Sequence, residues 1–388
     1  MNFRWSEEEE KFRQEVRDFI KKELTPEILG GEGGGLWSTP EKRAFAKKLA
    51  QRGWVGISWP REYGGQGKPS VYQYILTNEL AHAGAPHTGT GVGTIGQTLM
   101  RVGSEALKRE ILPRIVRAEL EFAIGYSEPQ AGSDLAGLEV RADLQGDEYV
   151  INGQKIWISA AHFADYIWLA CRTNRNAPKH KGISLLLFPI KQPGITITPI
   201  MKSGDIRNNS VFFDNVRVPR TALVGQQDMG WYYLAEALDH ERSQIFPFGP
   251  VLRNMDRLLE VTRSMPGDLR SQTHWKVLRN KVAELEIETS VQRLVSLRVL
   301  DEERRGKVDT VGSSLNKTFG TELQQRIHFL GMELMGLYGQ LKKGSRYCLH
   351  DGNLAREYEG SGIGTVAGGS NEINRTVIAA RGLGLPRG

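Results

Sequence analysis

Cysteine is scarce: 388 residues contain only Cys171 and Cys348. The two lie far apart and match no metal or redox spacing, which excludes a disulfide scaffold and makes a reducing compartment the default. Long apolar runs are missing too, since the longest, around Ile183–Ile190, is far too short to span a bilayer. The opening MNFRWSEEEEKFRQ is charged from the start, unlike a signal peptide, so a cytoplasmic location is expected. No GxGxxG follows a strand pattern, which argues against a nicotinamide-binding doubly wound domain. The glycine cluster Gly30–Gly35, broken only by Glu32, has no Lys-Ser/Thr after it and is no phosphate loop. Internal repeats and low-complexity segments are absent. So are blocks of one charge sign. The net charge is +6, yet basic and acidic residues interleave, as in Glu105–Arg117 and Asp301–Lys307. No tract alternates aromatics with Lys/Arg, so solvated helix faces explain the charge and no nucleic-acid partner is expected. A modest positive excess suits an anionic substrate.

With 39% hydrophobic and 25% charged residues, the chain reads as an ordinary globular protein of two or three domains. Residues 1–120 read as helical. Trp5, Phe12, Val16, Phe19 and Ile20 form one amphipathic stripe behind a Ser6 cap, and helical patterns resume in Lys42–Arg52, Ser70–Ala83 and Ser104–Ala118. Residues 121–228 change texture to short β-type runs: Phe122–Tyr126, Leu138–Asp143, Glu148–Ile151, Gln154–Ser159, Tyr166–Arg172, Ile183–Phe188 and Val211–Val218. Turn signals at Gln145-Gly146-Asp147 and Asn152-Gly153 separate them, as in an antiparallel barrel or sandwich. Helical periodicity returns over residues 229–388. The fold class expected is therefore α+β, with a helical domain, a β domain and a C-terminal helical bundle.

The β region opens with Tyr126-Ser127-Glu128-Pro129-Gln130-Ala131-Gly132-Ser133-Asp134, followed by Asn152-Gly153-Gln154-Lys155-Ile156-Trp157-Ile158-Ser159. Alone, the first is a turn-rich strand end, and a tryptophan such as Trp157 is more often core than cofactor platform. Together, in this helix–sheet–helix order, they closely resemble the acyl-CoA dehydrogenase family. Gly53-Trp54, Trp59-Pro60-Arg61-Glu62-Tyr63-Gly64-Gly65, Leu112-Pro113 with Glu119, and Gly369-Ser370-Asn371-Glu372-Ile373-Asn374-Arg375 extend the resemblance over nearly the whole chain. The resemblance implies the family's fold, a bound FAD, an acyl-CoA substrate, α,β-dehydrogenation and transfer of electrons to an electron-transfer flavoprotein. It places Ile124, Tyr126 and Ser127 at the flavin edge, Trp157 and Ser159 along the ring, and Ser370 and Glu372 against the cofactor. It assigns Ser133, Asp239, Arg242 and Gly368 to the substrate side. The residue types suit the task, since a flavin needs donors at N5 and where negative charge develops.

The family's usual base is a Glu two residues before the Ser/Thr of the last motif, and here that position is Gly368. Tyr358-Glu359-Gly360-Ser361 imitates the usual base motif, but Ser361 runs into Gly-Ile-Gly-Thr and lacks the continuation that Ser370 has. Glu359 therefore reads as a carboxylate on a glycine-rich loop. Another branch of the family, which includes isovaleryl-CoA dehydrogenases, carries the base on an earlier helix before an Arg, and this chain has Leu238-Asp239-His240-Glu241-Arg242-Ser243. Glu241 shares a helical face with Leu234, Ala237, Leu238 and Ile245, where desolvation would raise its pKa toward general-base range. An intrahelical ion pair is the bland alternative. Glu241 is the expected base.

Two family segments that reach a neighbouring subunit's FAD are altered. Residues 264–275 contain no Arg-x-x-Phe-Gly, and the Gln-x-x-Gly-Gly stretch appears as Glu333-Leu334-Met335-Gly336-Leu337. Some bacterial relatives, including those that degrade steroid side chains, pair two unlike subunits, and the C-terminal wording resembles that group. A homo- or heterotetramer is expected. Two other functions stay open: a non-catalytic partner subunit, and a flavin monooxygenase on the same fold.

Overall fold

The computed structural model describes residues 3–30, 36–87, 89–235, 237, 247–264, 273–348 and 350–386. The first helix, α1 (Glu7–Glu23), begins where its cap predicts. Ser6 Oγ accepts from Glu9 N, and the Glu9 carboxylate accepts from Ser6 N at 2.8 Å, a reciprocal capping box. Phe12, Val16 and Phe19 are buried along its inner face. Next come α2 (Pro26–Leu29), α3 (Pro40–Gln51), α4 (Ser70–Ala83), a π-helical stretch Gly91–Gly96, α5 (Gln97–Val102) and α6 (Glu105–Val116). Trp54, Trp59, Phe45, Leu76 and Ile111 fill the core between them. Gly96 has no room for a side chain, because a Cβ there would lie 2.1 Å from the Trp59 ring.

The sheet that follows has strands β1 (Phe122–Gly125), β2 (Arg141–Gln145), β3 (Glu148–Ile158), β4 (Tyr166–Arg172), β5 (Ile183–Pro189), β6 (Ile195–Lys202), β7 (Ile206–Pro219) and β8 (Leu223–Val224). Their order is β6-β7-β3-β2-β4-β5-β8, with β1 beside β4. Pairing is antiparallel except for β1 with β4 and the Arg141–Arg172 contact of β2 with β4. Two expectations need correcting. Asn152-Gly153 is not a turn; the two runs flanking it are one strand, and the pairing with β7 slips at Gly153 (φ +134°). Strand β6 was not foreseen, because its half-exposed edge carries Pro199 and Thr rather than an apolar run.

The C-terminal part packs α7 (Gly249–Ser264), α8 (Thr273–Arg304), α9 (Thr310–Met335) and α10 (Asn353–Val366) around Met255, Leu258, Leu323, Ile327 and Leu330, with the short α11 (Asn371–Val377) after them. The Tyr358–Gly364 stretch corrects the sequence reading. It is helical, with Gly360, Gly362 and Gly364 inside α10, so Glu359 lies on a helix and not on a loop. Glycine's helix penalty is overridden there by packing: a Cβ on Gly364 would touch Thr321 of α9.

Candidate active site

Strand β1 and the end of β3 bring the first two candidate groups together. Ile156 N donates to Ser127 O at 2.9 Å, and Lys155 Nζ donates to Tyr126 O at 2.9 Å. Ile124, Tyr126 and Ser127 therefore lie beside Trp157 and Ser159. The junction is locked from beneath by charge. Lys155 Nζ reaches Glu128 Oε1 at 2.7 Å, with both side chains almost wholly buried. Glu128 also accepts from Val140 N at 2.9 Å, Glu139 N at 2.6 Å and Gln130 Nε2 at 2.8 Å. Burial pushes the Lys155 ammonium's pKa down, and the Glu128 carboxylate pulls it back up. Tyr126 is tied in at its other end, where its hydroxyl accepts from Trp168 Nε1 at 2.9 Å.

Trp157 is the most unusual residue of the sheet. Its φ is +64°, a region non-glycine residues rarely occupy, and the residue is 52% exposed. A register slip between Lys155 and Ile158 throws it outward. Asn208 Nδ2 donates to its carbonyl at 2.7 Å, and Asn209 Nδ2 donates to Ile158 O at 2.8 Å. Backbone strain spent on holding a large aromatic in the open is a mark of a ligand platform rather than of core packing. Ser159 is exposed two residues on, and Ser133 is exposed in the turn after the Glu128–Ala131 bridge.

The third group lies at the C-terminus. Gly368 and Gly369 both adopt left-handed backbone, φ +65° and +83°. Ser370 caps α11, its Oγ accepting from Ile373 N at 3.3 Å. Glu372, exposed on the first turn, is held below the usual carboxylate range by its own backbone N–H and by the Ser370 hydroxyl. An ionised carboxylate folded onto a helix start is a poor general base. The loop is anchored to α9: Lys317 Nζ donates to Gly369 O at 2.8 Å, and Asn374 Nδ2 donates to the same oxygen at 2.8 Å. Among the described residues no hydrogen bond ties this loop to the sheet.

Glu241, Asp239 and Arg242 lie outside the described residues. Two neighbours on the expected apolar face, Leu234 and Ala237, are buried. The rival carboxylate, Glu359, has structural partners: Gly204 N donates to its Oε2 at 3.0 Å, and Lys342 Nζ stands 3.4 Å away. It docks α10 onto the turn joining β6 and β7. Among the described residues no cluster of His, Cys, Asp and Glu could hold a metal, and no helix is long and apolar enough to cross a membrane. The buried Cys171 thiol is pushed up to about 12 by burial, which leaves it inert.

Sequence reasoning missed Lys155, Glu128, Lys317 and Asn374. The signal for Lys155 was a lysine inside a β-run whose neighbours alternate inward. Lys317 sits on a helix face lined by Ser313, Ser314 and Thr321, all buried, and gave no apolar stripe to be conspicuous against.

Family models match the chain in three consecutive pieces: "Acyl-CoA dehydrogenase, N-terminal domain" over residues 6–119, the middle domain over 123–216 and the C-terminal domain over 228–383. Acyl-CoA dehydrogenase FadE26 of Mycobacterium tuberculosis is 34% identical over 100% of this chain and 99% of its own. FadE29 of the same organism is 35% identical over 98% of this chain and 97% of its own. Among solved structures, the Tcur3481-Tcur3483 steroid ACAD superposes with a TM-score of 0.92 at 34% identity, covering 100% of both chains. The ChsE4-ChsE5 complex from Mycobacterium tuberculosis gives 0.90 at 34% identity, again covering 100% of both chains. An exposed tryptophan platform locked beside a strand end, a paired-glycine loop and a helix–sheet–helix order thus accompany full-length matches at both levels, and the chain belongs to the acyl-CoA dehydrogenase family of oxidoreductases.

Proposed function

We propose that the protein binds FAD and dehydrogenates an acyl-CoA thioester to the trans-2-enoyl-CoA, with Glu241 as the base. The observation that carries the reading is the platform at Trp157, strained and exposed beside Tyr126 and Ser127. A flat ring fits there: Trp157 offers a face, Ser127 and Ser159 offer hydroxyls at its edge, and the bare Gly368–Gly369 backbone allows close approach. When bound, FAD supplies the acceptor for the hydride leaving the β-carbon. The chain's own residues do the rest. Ser133, Asp239 and Arg242 hold the coenzyme A portion, and Glu241 takes the acidified α-proton. Gly368, where relatives often carry the base, leaves space for the acyl chain. The electrons then pass to an electron-transfer flavoprotein.

Glu241→Gln tests this. The amide fills the same volume, so FAD and acyl-CoA binding should persist while flavin reduction slows by about 10²–10⁴-fold, the usual cost of losing a general base. Near-normal reduction in Glu241→Gln, with loss in Glu359→Gln, would move the base to α10.

A tetramer is part of the proposal, and its surface supports it. Val277, Ile287, Val291 and Leu294 leave an apolar row exposed on α8, and Leu337 is 81% exposed just beyond α9. A second reading, a heteromer of unlike subunits, is favoured by the adjoining cavity of about 810 Å³, lined by Lys281, Glu284, Glu288, Phe329, Glu333 and Glu359. Glu333 is held there by Lys281 at 2.9 Å to each oxygen. With Glu333 and Leu337 where the family's segment has Gln and Gly, this face would fit a neighbour's pyrophosphate poorly, so the subunit would complete its own flavin site but not a copy's. If the subunit is instead a non-catalytic partner, it will purify without flavin. A monooxygenase would need no base, and Glu241→Gln would leave it active.

A further inference from the structure

We infer that Lys317, acting with Asn374, is a positioning residue that shapes the Gly368–Ser370 loop for the cofactor. The inference rests on the FAD reading above but concerns residues that reading does not use. Lys317 is fully buried on α9. Its ammonium donates to Thr365 O at 3.2 Å, Gly369 O at 2.8 Å and Asn371 Oδ1 at 2.7 Å. These three acceptors come from the last turn of α10, the loop and the first residue of α11. One charged group therefore gathers both helix ends and the loop between them.

The geometry points to what the charge does. Gly369 O is drawn inward by two donors, Lys317 Nζ and Asn374 Nδ2, each at 2.8 Å. The peptide unit is planar and trans, so the Ser370 N–H of that unit points the opposite way, toward the open side of the loop. The same pull keeps Gly368 and Gly369 in left-handed backbone, φ +65° and +83°, where no side chain obstructs a ligand. Asn371 extends the clamp, its Nδ2 donating to Thr321 Oγ1 at 3.2 Å and to Glu322 Oε1 at 2.9 Å. The loop is thus a preorganised donor surface held from behind.

The test uses full-length apoprotein titrated with FAD, followed by flavin fluorescence and by the visible spectrum of the bound flavin. Lys317→Met should weaken FAD binding at least about tenfold, the worth of one charge-assisted hydrogen bond, Asn374→Ala by about two- to tenfold, the worth of a neutral one, and both should shift the bound flavin's spectrum. Their effects should be less than additive, because both act on the Gly369 carbonyl. Hydrogen exchange without FAD should speed up over residues 365–375 and stay unchanged in the sheet. Variants that bind FAD with wild-type affinity and spectrum would overturn the inference, even if they melt earlier. If Lys317→Met does not fold, Asn374→Ala alone decides, since it removes one of the two donors to the same carbonyl without removing the buried charge. A wild-type protein that takes up no FAD would instead refute the underlying functional reading.

Discussion

Removing the buried ammonium under the Trp157 platform should cost more than any surface change in the sheet. In Lys155→Met the Glu128 carboxylate, 2% exposed, keeps its bonds to Val140 N, Glu139 N and Gln130 Nε2 but loses its counter-charge. Breaking one partner of a buried pair typically costs about 3–5 kcal/mol. Tyr126 O loses the Lys155 donor as well, so the strand end at 124–127 should loosen and release FAD more readily. Glu128→Gln alone strands the ammonium and places an amide N–H against a backbone N–H. The double variant Lys155→Met/Glu128→Gln leaves no buried charge at this junction, and it should recover about 1–3 kcal/mol relative to the sum of the single changes. Urea denaturation of all four proteins, read beside FAD retention, measures this cycle. A Lys155→Met protein within about 1 kcal/mol of wild type, or strictly additive effects, would refute the view that this pair holds the platform.

Acid should destabilise the protein through His328, whose imidazole is pushed down to about 4 by burial. The unfolded chain binds that proton from about pH 6.5, so the stability is present above 6.5 and is lost as pH falls through 4, a loss of about 3 kcal/mol. His328→Leu should flatten that part of the pH–stability curve, and an unchanged slope would contradict the assignment. Ser159→Ala should slow flavin reduction by the worth of one hydrogen bond, about 0.5–1.5 kcal/mol, without lowering the melting temperature; stopped-flow reduction and a thermal melt check both halves. Light scattering should show an oligomer, and a stable monomer with full flavin occupancy would remove the argument from the apolar row on α8.

Legibility in the sequence followed physical periodicity. The Ser6 cap and the Phe12–Val16–Phe19 stripe stood out because one helix buries one face. Strand β3 was split in two because Asn152-Gly153 is ordinarily a hairpin signal, and only its pairing with β7 shows that the glycine serves a register slip. The glycines of α10 misled in the same way: a run of Gly360, Gly362 and Gly364 reads as a loop, and only tertiary structure shows it as helix, with Gly364 against Thr321 of α9. At the candidate site, Ser127, Trp157 and Ser370 were proposed from motifs, and the structure shows Trp157 exposed and Ser370 capping α11. Lys155 and Lys317 were not, because a lysine is a surface residue by default, and its burial becomes visible only when the partners Glu128 and Gly369 are brought to it by tertiary structure.

The central claim is that this chain uses a flavin to oxidise an acyl-CoA. Anaerobic titration of the purified protein with a panel of acyl-CoA thioesters, followed by the flavin's visible absorbance, tests it most directly. The account predicts a yellow protein whose absorbance bleaches with at least one thioester, and an Glu241→Gln variant that stays yellow with the same one. A flavin that no thioester reduces, or a variant that bleaches as fast as the wild type, would contradict it.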